Sequence, residues 1–128
     1  MEVIMKKYWL TDEEFENVLP KLQEQAEKKE EWKAYPTDIS VEVSNFGRIR
    51  QNGQILPMTE VEDGYLYVST KNFKAKVYRL VAETWCIDAD KPFAYDTVHH
   101  IDNNGYNNTP ENLIWVNREQ HRKLHPIK

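Results

Sequence analysis

Thiols are almost absent from this 128-residue chain, in which Cys86 stands alone. A single cysteine cannot close an internal disulfide, and it excludes a zinc ribbon built on cysteine pairs. Long apolar runs are missing too: no stretch approaches the roughly 18–20 residues that a membrane span needs. The opening stretch MEVIMKKYWL lacks the apolar core and cleavage site of a secretory signal. A reducing, cytoplasmic setting with no membrane partner is therefore expected. Histidine is equally scarce, at four residues, but it is not scattered. His99, His100, His121 and His125 all lie within one C-terminal segment.

An excess of basic charge is also lacking, since the net charge is −4. Its distribution matters more than its sum. Residues 1–31 hold nine acids and five bases, which accounts for the whole excess. Residues 48–79 hold six bases (Arg48, Arg50, Lys71, Lys74, Lys76 and Arg79) against three acids. A local basic face on an acidic chain is able to meet phosphate.

The length suits one domain with an N-terminal appendage. Thr11 and Glu14 form a capping box, and Phe15, Val18, Leu19 and Leu22 follow at helical spacing. Pro20 is expected to kink or divide this helix. From Trp32 the pattern becomes β: Ile39, Val41 and Val43 alternate with polar residues, and Asn52-Gly53 predicts a tight hairpin. GYLYVST and FKAKVY predict a second hairpin turned at Lys71-Asn72. Leu80, Val81 and Trp85 place a short helix over YRLVAETW. The remainder reads as a strand ending near His100, a loop rich in Asn, the strand LIWV and a helix. Asn117 and Gln120 cap that helix and Pro126 stops it.

On this last helix His121 and His125 are four apart, which puts both rings on one face. A helix offers two nitrogens to one cation in this way. A third ligand from a nearby strand, His99 or His100, would complete an open metal site.

These residues resemble the HNH nucleases. HHID, Asn112 within PENLIWV, and His121 match the family's motif, with twelve positions from His100 to Asn112 and nine from Asn112 to His121. HIDNNGYNNTPENLIWV is similar to the phage and intron homing branch, as is YRLVAETW before it. EEWKAYP and VEVSNFGRIR resemble a nuclease-associated DNA-binding motif found upstream in that branch. The resemblance implies an α+β chain. It would have an N-terminal helical appendage over 1–31, a β-rich DNA-binding motif of small antiparallel hairpins over 32–77, and a C-terminal ββα-metal core over 78–128. It implies a metal-dependent endonuclease acting on double-stranded DNA and carried by a phage in a bacterial host.

Position by position, the resemblance makes His100 the general base and His99 and His121 metal ligands. Asn112 becomes the residue that ties the long loop to the strand bearing the base. The chain departs from the homing branch in having His99 where an acid is usual. A double His followed by H-x3-H is more similar to the bacterial-toxin HNH enzymes. His99, His121 and His125 are accordingly the expected ligands of one divalent cation, with zinc or another transition metal favoured over magnesium. Arg48, Arg50, Lys74 and Lys76 are the expected DNA contacts upstream, and Arg122 the one beside His121. The alternative is a DNA-binding module around a structural zinc. That reading gives no task to a histidine left free beside the metal, and such zinc sites usually have four protein ligands. Oligomeric state is left open between monomer and homodimer.

Overall fold

Alternating apolar and polar side chains build the first sheet. In the computed structural model, which describes residues 9–27, 29–87 and 89–125, it contains β1 (Trp32–Tyr35), β2 (Asp38–Ser44), β3 (Ile49–Gln51) and β4 (Gln54–Ile55), paired antiparallel in that order. Val41, Val43 and Ile49 point inward and are fully buried. Between them Glu42 stands opposite Arg50 on the outer face. The Asn52-Gly53 turn has φ of 50° and 82°, as a two-residue hairpin requires.

A second antiparallel sheet holds β5 (Met58–Glu60), β6 (Leu66–Ser69) and β7 (Lys74–Lys76). β6 and β7 make the hairpin expected around Lys71-Asn72, with Ser69 opposite Lys74. β5 was not anticipated. It is too short to display a period, and its pairing with β6 makes it a strand.

The third sheet pairs β8 (Thr97–His100) with β9 (Leu113–Val116), and their connecting loop ends in a 3-10 turn over Pro110–Asn112. Helices α1 (Asp12–Glu27), α2 (Val77–Trp85) and α3 (Arg118–Leu124) complete an α+β fold whose C-terminal part runs strand, loop, strand, helix.

α1 begins at its expected capping box: Thr11 Oγ1 accepts from the Glu14 amide at 3.2 Å, and Glu14 Oε1 accepts from the Thr11 amide at 3.1 Å. The helix is not divided at Pro20, however. Proline costs one internal hydrogen bond, and at this exposed position water is able to take the carbonyl it leaves. The expected stop at Pro126 lies outside the described residues.

α2 occupies the centre. Its Val77, Leu80, Val81 and Ala82 join Val41, Val43, Ile49, Val68 and Leu113 in one core, shared by residues on both sides of position 77. Each large aliphatic side chain buried there contributes roughly 1.5–3 kcal/mol relative to exposure. Two indoles fix the helix in direction. Trp85 Nε1 donates to the Val43 carbonyl at 2.9 Å, and Trp115 Nε1 donates to the Cys86 carbonyl at 3.0 Å. The second bond holds β9, and through it β8, against α2. No helix among the described residues is long and apolar enough to cross a membrane.

Candidate active site

Neighbouring side chains in a strand point to opposite faces, and β8 follows that rule at its end. His99 stands opposite Ile114 and His100 opposite Leu113. All four histidines nevertheless line one polar pocket of about 230 Å³, with Asp63, Gly64, Tyr65, Asn103 and Gly105. They approach it from different sides.

His99 turns toward α3. Its ring centre is 5.3 Å from that of His125, which is 4.8 Å from that of His121. The helix carries His121 and begins at a capping box: Asn117 Oδ1 accepts from the Gln120 amide at 2.8 Å, and Gln120 Oε1 accepts from the Asn117 amide at 3.1 Å. His125, expected on the same helix, is its C-cap, with non-helical φ and ψ of −128° and 68°. The His125 amide reaches the His121 carbonyl at 3.0 Å and closes the last turn.

Two imidazoles bound to one tetrahedral cation at about 2.0–2.1 Å hold their ring centres roughly 5 Å apart. The spacing of these rings and their all-nitrogen donor set fit a borderline transition metal. Their nitrogens are not yet converged: among the described residues no group of three or more His, Cys, Asp or Glu is arranged to hold a metal ion. Ring rotation on an exposed helix would be needed to bring them together. Burial, and then the positive charge that His125, His100 and His121 would carry, holds the His99 imidazole below its ordinary pKa. Its neutral, ligand-competent form is favoured.

His100 is enclosed instead. It is 7% exposed, and its Nε2 lies 2.7 Å from Oδ1 of the buried Asn108. The Tyr78 ring meets it edge-on at 5.1 Å between centres, and the Tyr65 ring lies at 5.8 Å.

The loop between β8 and β9 is organised by Asn112 and Asp102. Asn112 Nδ2 donates to Asp102 Oδ1 at 2.8 Å and to the Asn107 carbonyl at 2.9 Å, while its Oδ1 accepts from the Asp102 amide at 3.1 Å. Asn107 Nδ2 and the Asn104 amide also donate to the Asp102 carboxylate. These amide donors, Asn107 first, hold that carboxyl below the usual carboxylate range. The Ile101 amide, next to His100, reaches the Asn112 carbonyl at 2.8 Å. Asn112 thus connects the loop to the end of β8.

Two close approaches seat this loop on the upstream sheets. A Cβ at Gly105 would strike the Gly64 carbonyl, and one at Gly47 would lie 2.8 Å from the Asn108 carbonyl oxygen. Gly47 also has φ of 83°, a left-handed value that favours glycine. Asn108, Asp102, Tyr65 and Tyr78 were not singled out from the sequence. The Asn-rich loop reads as turn chemistry, and nothing local links Tyr65 or Tyr78 to a histidine.

The basic residues fall into two groups. Arg50 Nε donates to Glu42 at 2.8 Å and its guanidinium lies over the Trp32 ring at 4.1 Å. Arg48 forms a two-pronged pair with Glu30 and reaches the same ring at 5.6 Å. Both carboxylates are held below their usual range by these hydrogen bonds. Neither arginine lines the histidine pocket. On β7, Lys74 and Lys76 lie over tyrosine rings, Lys76 at 4.8 Å from the centre of Tyr65. Because Tyr65 also borders His100, Lys76 is close to the pocket. Arg122 is exposed on α3, one residue beyond His121.

No family model matches the chain. Among curated proteins, an uncharacterized HNH endonuclease of Acanthamoeba polyphaga mimivirus is 37% identical over 93 residues, covering 67% of this chain. The chain spans 27% of that relative's length. Among solved structures, one of DNA binding and cleavage by the HNH homing endonuclease I-HmuI matches with a TM-score of 0.61 and 28% identity, covering 73% of this chain and 56% of that one.

Proposed function

From the premise that this chain belongs to the HNH endonucleases, of ββα-metal type and the homing and phage branch, we propose that it hydrolyses phosphodiester bonds in double-stranded DNA. The observation that carries the reading is the division of labour along β8. His99 joins two further imidazoles, while the adjacent His100 is enclosed separately and lines the same pocket.

In this reading His99, His121 and His125 hold one divalent cation. A cation there would supply Lewis-acid stabilisation of the charge that develops as the phosphodiester bond breaks. His100 accepts a proton from the attacking water as the general base. Asn112 maintains the loop from which the base is oriented. Lys74, Lys76 and Arg122 meet backbone phosphates, setting register without reading bases. Arg48 and Arg50 are able to do so only by exchanging Glu30 and Glu42 for phosphate. Both pairs are at least partly open to solvent, where screening weakens them, so exchange is feasible. The products are 3′-hydroxyl and 5′-phosphate ends, and the site of action is the cytoplasm.

A plasmid assay with Mg²⁺, Mn²⁺, Ni²⁺ and Zn²⁺ in parallel tests the reading and resolves nicking from double-strand cutting. Cleavage is expected with at least one transition metal, and His100→Ala should lower its rate by about 10²–10⁴-fold, the usual contribution of a general base. Cleavage by His100→Ala at the wild-type rate would remove the base from the mechanism.

A further inference from the structure

We propose that Asn108 is a positioning residue for His100: its side-chain carbonyl fixes the imidazole proton on Nε2 and leaves Nδ1 as the nitrogen that takes a proton from water. The inference rests on the reading of His100 as the base, and it assigns a role to an asparagine other than Asn112. Asn108 and His100 are 5% and 7% exposed, and the contact between Oδ1 and Nε2 is 2.7 Å. A carbonyl oxygen only accepts, so a neutral imidazole facing it must place its one proton on Nε2. The lone pair on Nδ1 is then the basic one.

Asn108 is itself held in place. The turn between β2 and β3 approaches it so closely that Gly47 has no room for a Cβ beside the Asn108 carbonyl. On the other side, the Tyr78 and Tyr65 rings restrict reorientation of the imidazole, with ring centres at 5.1 and 5.8 Å. Asn108 therefore differs from Asn112. Asn112 spends its side chain on Asp102 and Asn107 and shapes the loop, whereas Asn108 reaches the reactive ring.

The test is NMR of the full chain labelled with ¹⁵N-histidine, in which long-range proton couplings report the tautomer of each ring. Hydrogen placement and amide orientation are what such a measurement establishes independently of heavy-atom coordinates. His100 is expected as the Nε2–H tautomer. Asn108→Ala should mix the two tautomers and slow single-turnover cleavage by about 10–100-fold at unchanged DNA affinity, the usual effect of losing an outer partner of a functional histidine. Asn108→Asp keeps an acceptor oxygen and should retain the Nε2–H tautomer. Wild-type His100 found as Nδ1–H would overturn the assignment, even if Asn108→Ala failed to fold. So would Asn108→Ala with tautomer and rate both unchanged. Full activity in His100→Ala, by contrast, overturns the base reading itself, and the tautomer measurement keeps the two failures apart.

Discussion

On one side of β8, His99 meets the imidazole of His125, the C-cap of α3, which in turn neighbours His121 on that seven-residue helix with no buried side chain. On the other, His100 is enclosed by Tyr65, Tyr78 and Asn108, below a loop cross-linked through Asp102 and Asn112. Both histidines are buried and adjacent in sequence, yet only the second has its protein partner in place. In the first region the imidazole nitrogens do not converge, and among the described residues no three such ligands are placed to hold a metal ion; the second is assembled from the chain's own bonds. This difference suits the two tasks. A cation supplies its own ordering force through its ligands, whereas a general base must be oriented before the substrate arrives.

The sharpest test of the contrast is metal content. His121→Ala should lose bound cation by elemental analysis, whereas His100→Ala should keep it. Equal stoichiometry in the two variants would erase the distinction between the sides.

A smaller effect is expected at the basic face. Lys74→Ala and Lys76→Ala should each weaken DNA binding and reduce the magnitude of the salt slope by about one. Arg48→Ala and Arg50→Ala should do less, because those guanidiniums already satisfy Glu30 and Glu42. Fluorescence anisotropy across a salt series would measure this, and a larger loss at the arginines would reverse the ranking.

The smallest effect concerns acid. The Asp102 carboxyl is held below its ordinary value in the fold, so its contribution to stability is complete above the unfolded value of about 3.9. It is lost as pH falls through the lower folded value. The protection factor of the Asn104 amide, which donates to Asp102, should therefore fall at acidic pH. Asp102→Asn should lack that acid limb, and the same pH dependence in wild type and variant would exclude Asp102 as its source.

Much of the architecture was legible because its causes are local. Thr11–Glu14 and Asn117–Gln120 are capping boxes three residues apart, and Asn52-Gly53 meets the dihedral demands of its turn without help from the fold. The divergence of His99 and His100 follows from the strand period alone, whereas His125 lies past the end of α3 in a non-helical conformation, so its place beside His121 is not set by the helix period. β5 and the undivided α1 were not legible: one is made by its partner strand, and the other depends on solvent satisfying the carbonyl four residues before Pro20. The arginine partners were hidden for a related reason. Glu42 meets Arg50 only in the register of β2 against β3, and Glu30 lies eighteen residues from Arg48.

By itself, then, the amino-acid order determined which residue types could do chemistry and how far apart each element would hold them. Only the tertiary structure decided that His99 meets His125 at the end of α3, that Asn108 rather than Asn112 reaches His100, and that Tyr65, just before β6, borders the same ring. Periodicity acts over a few residues and can be read from them. Which side chains meet across a pocket depends on how separate elements pack on a common core, and in this chain that meeting is set by α2 and by the close approach of the Gly47 and Gly64 turns to one loop.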